Sequence, residues 1–152
     1  MGHVQGFNHH GITVGDMDRA LALFVDVLKF ERGATVELDP GFTSAVTGVN
    51  DSALRAVFVH GPGVDVELLA YERRDGTDAR PVAPNRPGAS HIAFFVDDLR
   101  QVADDAAQVG WALAGSIAPI VSGPRAGGSA AYLRDPDGVT VELVQRPDSL
   151  SG

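Results

Sequence analysis

FNHHGITVGDMDRALALFVDVLKF, residues 7–30, decides the fold, because the chain writes a version of it twice. The echo is ASHIAFFVDDLRQVADDAAQVGW, residues 89–111. With His9 set on His91, Asp16 falls on Asp98. Before each aspartate the apolar residues alternate, Ile12 and Val14 in one copy, Ile92, Phe94 and Val96 in the other, which predicts a strand. After it the period turns helical. Met17, Ala20, Leu21, Phe24 and Leu28 share one face; Leu99, Val102, Ala103, Ala106 and Val109 share the other copy's. Asp16 and Asp98 stand where an N-cap belongs, and Lys29 and Gly110 where the helices end.

The repetition runs further. GVDVELL, Gly63 to Leu69, returns as GVTVELV, Gly138 to Val144. Short β-like pieces fill each half: Thr35–Leu38, Phe42–Val46, Leu54–Val59 and Val64–Tyr71, then Ile117–Val121, Ser129–Leu133 and Val139–Gln145. Turn signals separate them at Asp39-Pro40-Gly41, Gly61-Pro62-Gly63 and Asp135-Pro136-Asp137-Gly138. The expected class is α+β: two tandem βαβββ modules, residues 4–72 and 89–147, joined by a polar linker, 73–88, within a single domain 1–152. The helix of such a module covers one sheet face; the other face curls round a cavity or pairs with its copy.

Strand alternation then sorts the side chains. His9 shares a side with Phe7, Gly11 and Thr13, while His10, Ile12 and Val14 meet the helix, so His10 reads as structural. Glu67 lies with Asp65 and Leu69, His91 with Ala93 and Phe95, and Glu142 with Thr140 and Val144. All four ionisable residues project away from the helices. A buried carboxylate without a partner costs several kcal/mol. Two imidazoles and two carboxylates at matching places of two modules have one common partner, a divalent cation: Zn, Ni, Co, Mn or Fe(II).

Bulk properties narrow the partners. A net charge of −8 argues against nucleic acid or an anionic membrane. The absence of cysteine excludes disulfides, thiolate metal sites and a thiol nucleophile. The start, MGHVQGFNHH, lacks a signal-peptide core, and no apolar run reaches membrane-spanning length, so a cytoplasmic protein is expected.

At these residues the chain resembles the vicinal oxygen chelate superfamily, the group of glyoxalase I, bleomycin-resistance proteins, methylmalonyl-CoA epimerases and extradiol dioxygenases. The matching text is FNHHGITVGDMDRALALFVDVLKF, HGPGVDVELLAY, ASHIAFFVDDL and YLRDPDGVTVELVQ, nearly the whole chain. The resemblance implies paired βαβββ modules whose sheets form a partly closed barrel around one divalent metal, held by His9, Glu67, His91 and Glu142. It implies a metal that grips two adjacent oxygens of a small oxygenated substrate and stabilises an enolate or enediolate. Four protein ligands on an octahedral ion leave two open positions. That favours a lyase or isomerase, glyoxalase-like or epimerase-like, with Glu67 or Glu142 as the base, over a ring-cleaving dioxygenase of the two-His-one-carboxylate type. The other alternative is a non-catalytic drug-binding protein of the bleomycin-resistance kind, against which the retained ligand set argues.

Two further residues are candidates for the substrate. Arg125, in the Gly-rich loop 122–128, stands ready for an anionic group. Asp51 lies near the place of the epimerases' acidic base, although Val49-Asn50-Asp51-Ser52 also reads as a turn. Tyr132 and Trp111 read as packing residues. A homodimer is expected, since small sheets leave edges for a partner to cover; whether the site lies within one chain or is shared across two is open.

Overall fold

Each aspartate that follows a first strand caps a helix. Asp16 accepts the N–H of Arg19 at 2.9 Å, and Asp98 accepts that of Gln101 at 2.9 Å. Both sit in extended conformation with their side chains turned onto the first helical turn. The Arg19 N–H, seconded by the Arg19 guanidinium 2.9 Å from Oδ2, holds the Asp16 carboxyl below its usual range. The computed structural model describes residues 2–72 and 81–147. It divides into two compact units, Met1–Thr77 and Asp78–Gly152. The part of the expected linker at 73–80 lies outside the described residues.

The first unit runs β1 (His10–Thr13), α1 (Met17–Leu21), β2 (Glu31–Leu38), α2 (Pro40–Thr47), β3 (Leu54–Gly61) and β4 (Val64–Tyr71). Its sheet has the order β1-β4-β3-β2, with β1 parallel to β4 and the other pairs antiparallel. The second unit runs β5 (Ile92–Val96), α3 (Leu99–Gln108), β6 (Ala112–Leu113), β7 (Ala118–Pro119), β8 (Ser129–Arg134) and β9 (Thr140–Gln145). Its order is β5-β9-β8-β6, with β7 paired to β8 and β5 again parallel to β9. Two mixed sheets with few helices give the expected α+β class, and each sheet is open along its own path. Among the described residues no helix is long and apolar enough to cross a membrane.

The helix-facing sides are the cores. In the first unit Val14, Ala20, Leu23, Phe24, Val57, Val59, Val66 and Leu68 are buried; in the second, Leu99, Ala106, Trp111, Leu133, Val141 and Leu143. Each large apolar side chain removed from water in this way contributes about 1.5–3 kcal/mol. The chain also ties α3 directly to the sheet, because the Leu99 N–H donates to Gln145 Oε1 at 2.9 Å.

Three local expectations are corrected. Phe42–Val46 is no strand but the middle of α2: Asp39 accepts from Gly41 and Phe42 N–H groups, Pro40 takes the first turn, and Gly48 closes the helix at φ 75°. An Asp-Pro pair sets a helix start as well as it sets a turn. The first long helix is not uniform. After α1 it widens into a π-helical stretch, Ala22–Val27, in which Leu28 N–H reaches Leu23 O, and this places the consecutive Leu23 and Phe24 both inside. The expected strand Ile117–Val121 pairs only at Ala118–Pro119, because the chain turns into a loop beyond it.

Candidate functional site

Two donor pairs are built by the same strand arithmetic. In β1, Gly11 lies opposite Glu67 of the parallel neighbour β4. His9, two residues before Gly11, shares its face, and its Nε2 stands 2.9 Å from Glu67 Oε2. In the second unit Ala93 lies opposite Glu142, His91 precedes Ala93 by two residues, and Nε2 stands 3.1 Å from Glu142 Oε2. The carboxylates are largely covered, 17% and 19% exposed, and the imidazoles more open at 34% and 41%, so each pair opens on the imidazole side.

Each imidazole is held from behind. His9 Nδ1 meets Asn8 Oδ1, and the Phe58 ring stands edge-on to it with centroids 5.7 Å apart. His91 Nδ1 faces the Tyr132 hydroxyl at 3.4 Å, with the two rings 4.9 Å apart. Tyr132 reaches His91 because it lies opposite Glu142 in the β8–β9 register. In both units Nδ1 is turned to a backing oxygen and Nε2 to the carboxylate, the orientation in which ligand histidines are fixed by their surroundings.

These donors fit a divalent cation. Bonds of about 2.0–2.2 Å meeting at a right angle set neighbouring donors about 3 Å apart, which is the separation each pair has. Among the described residues, no group of three or more potential ligand side chains gathers to hold a metal by itself. Each unit brings together one imidazole nitrogen and one carboxylate oxygen that could serve as donors.

Beside Glu142 the chain forms a cavity of about 380 Å³, lined also by Ile120, Ser122, Pro124, Arg125 and Ala130. The loop above it is pinned by Ile120 N–H to Gly128 O at 2.8 Å, Gly127 N–H to Ile120 O at 2.8 Å and Gly128 N–H to Arg125 O at 3.1 Å. Arg125 and Glu142 thus share one space. Asp51 does not come to a donor pair by any contact: it is exposed, in a bend with φ 54°, as the turn reading expects. His10 lies opposite Val66 on the helix-facing side, and Trp111 is fully buried. Reasoning from sequence missed the contact Tyr132 makes, although its place opposite Glu142 follows once the β8–β9 register is set. It also missed His60, whose Nδ1 stands 2.7 Å from Asp65 Oδ1 on the Glu67 face, exposed at the outer end of β3 and β4.

The comparisons with known proteins agree with this architecture. The sequence model of the Glyoxalase/Bleomycin resistance protein/Dioxygenase superfamily matches residues 6–143, and the chain belongs to that superfamily. Within it, the chain is similar to a 2-epi-5-epi-valiolone epimerase of Actinomyces sp, 30% identical over 146 residues, 92% of this chain and 79% of that one. It is also similar to the lactoylglutathione lyase of Haemophilus influenzae, 30% identical over 149 residues and 95% of each chain. Among solved structures the fold is similar to that of a glyoxalase family protein from Bacillus cereus, with a TM-score of 0.78 at 17% identity, covering 96% and 97% of the two chains.

Proposed function

We propose that the protein is a divalent-metal-dependent lyase or isomerase that moves a proton next to a carbonyl of a small oxygenated substrate, working as a cytoplasmic homodimer. The observation that carries this reading is the duplicated pair: His9 with Glu67 and His91 with Glu142, each at metal-donor spacing. Those four side chains would hold Zn, Ni, Co, Mn or Fe(II), assembled from the two modules of one chain or from modules of two chains. A bound divalent ion supplies Lewis-acid stabilisation for the negative charge that builds on a substrate oxygen. The chain's own residues do the rest. Asn8 and Tyr132 keep the imidazoles oriented. Glu142, at the floor of a cavity of a small metabolite's size, takes the proton from the carbon beside the carbonyl and returns it to a neighbouring carbon or to the opposite face. The names of the two similar enzymes, a lyase and an epimerase, support the same chemistry.

The test is metal content by mass spectrometry of tag-free protein, together with its mass in solution. The expected result is one ion per paired set of donors, lowered in Glu67→Gln and in Glu142→Gln. Exchange of a substrate α-proton in deuterated water, screened over α-hydroxycarbonyls, α-ketoacid derivatives and thioesters, is expected from the loaded wild type. Unchanged occupancy in both variants removes the glutamates from the ligand set. A protein that stays metal-free and still binds apolar drugs is a sequestering protein instead.

A further inference from the structure

We propose that Arg125 and Arg146, arranged around the Phe95 ring, form a subsite for the anionic end of the substrate, a carboxylate or phosphate; this rests on the reading of Glu142 given above. Three strand positions set the geometry. Phe95 lies opposite Val144, one same-face step from Ala93 and Glu142, and Arg146 follows Val144 by two residues on the same side. The Arg146 guanidinium stands 3.9 Å from the centroid of the Phe95 ring, and that of Arg125 stands 5.9 Å from it. Arg125 lines the cavity that holds Glu142 and also a smaller hollow with Ala93, Phe94, Phe95 and Val144. Arg125 therefore borders both the cavity that holds Glu142 and the hollow beside Phe95, the ring over which Arg146 stands.

The chemistry of this corner asks for an anion. Acidic residues outnumber basic ones by twenty to twelve in this chain, so carboxylates are plentiful, yet among the described residues neither guanidinium has one as a partner. Two like charges are instead gathered on one ring. Phe95 is itself 52% exposed, which is not the placement of a side chain recruited for packing. A ring beneath a guanidinium takes its flat face and leaves the N–H edge open, the edge that pairs in fork geometry with carboxylate or phosphate oxygens. Residues on one strand face repeat about every 7 Å, so the anionic group would sit roughly 7–10 Å from the Glu142 carboxylate. The substrate class is then a short chain with a carbonyl or hydroxyl at one end and an acid group a few bonds away.

The test uses the metal-free full chain, labelled with ¹⁵N and titrated with sodium phosphate and, separately, sodium succinate, against sodium chloride at matched ionic strength. The arginine Nε–Hε resonances of Arg125 and Arg146 are expected to shift saturably with phosphate or succinate and not with chloride. The anion that saturates at the lower concentration identifies the acid group. Arg125→Gln and Arg146→Gln are each expected to weaken binding about tenfold or more, as loss of a charge-assisted contact does. Phe95→Leu is expected to weaken it through Arg146. Absence of a saturable shift overturns the subsite, as does wild-type affinity in the folded double variant. A protein that binds metal but neither anion overturns the subsite alone. One that binds the anions but never a metal overturns the reading of the donor pairs and leaves the subsite standing.

Discussion

Gly128 is the hinge pin of the loop that carries Arg125, and Gly128→Ala tests it. A Cβ built there would lie 2.3 Å from the Gln145 carbonyl oxygen and 3.2 Å from that of Arg125. Ordinary C–H···O contacts begin at about 3.3 Å, so the loop or the end of β9 has to give by about 1 Å. Both obstructing atoms are backbone, and neither can rotate away. The movement that relieves the clash breaks the Gly128–Arg125 hydrogen bond and the Ile120–Gly128 bond. At about 0.5–1.5 kcal/mol net for each, the loss is about 1–3 kcal/mol. For a chain of this length that lowers the melting midpoint by roughly 2–10 °C. Gly115→Ala is the control, since no atom lies within 4 Å of a Cβ built there. Calorimetric melting of the two variants side by side is the assay, with the Arg125 Nε–Hε resonance as a local reporter. If Gly128→Ala melts with the wild type and leaves that resonance in place, the close seat of the loop on β9 is refuted.

Other outcomes follow from the frame. Asp16→Ala removes an N-cap and is expected to cost about 1 kcal/mol in urea unfolding at neutral pH. The Arg19 N–H holds the Asp16 carboxyl below the usual carboxylate range in the folded chain, so its contribution is present above the ordinary aspartate value and is lost as the pH falls through the lowered folded one. The gap between wild type and variant must therefore close in acid; a gap that widens there contradicts the assignment. Leu143→Ala empties a fully buried position in β9 and is expected to cost about 2–5 kcal/mol by the same unfolding measurement, with less than 1 kcal/mol counting against a packed core there. Asp39→Ala strips the cap of α2, at about 1 kcal/mol, and is expected to speed hydrogen exchange at Gly41 and Phe42 without touching the α3 amides.

The repeat made most of the frame readable. Asp16 and Asp98 mark the strand-to-helix switch by chemistry that needs no tertiary partner, and both caps form as expected. The meeting of His9 with Glu67 and of His91 with Glu142 follows from period-two alternation once first and last strands are neighbours. What stayed hidden depends on choices sequence leaves balanced. Asp39-Pro40-Gly41 serves equally as turn or as helix start, and only the backbone N–H groups that Asp39 accepts decide between them. The π-helical widening after Leu21 has no local composition signal, since it answers the demand to bury Leu23 and Phe24 together. Arg146 lies just past the last strand, where alternation is easily dropped from the count, and so the ring-and-guanidinium arrangement at Phe95 was not foreseen.

The parallel pairing of β1 with β4 and of β5 with β9 has a kinetic consequence. Each pair of donors joins the opening strand of its module to the closing one, with every other element of the module lying between them in the chain. Such contacts have the longest sequence separation a module offers, and the chain entropy lost in closing them is met only when the intervening strands and helix are in place. A partly folded module therefore holds a histidine and a glutamate that have not yet met. A nascent chain stalled before β9 would expose His91 without its carboxylate and so lack this donor pair. The donor geometry thus serves as a proof of completion, withheld until the last strand docks beside the first.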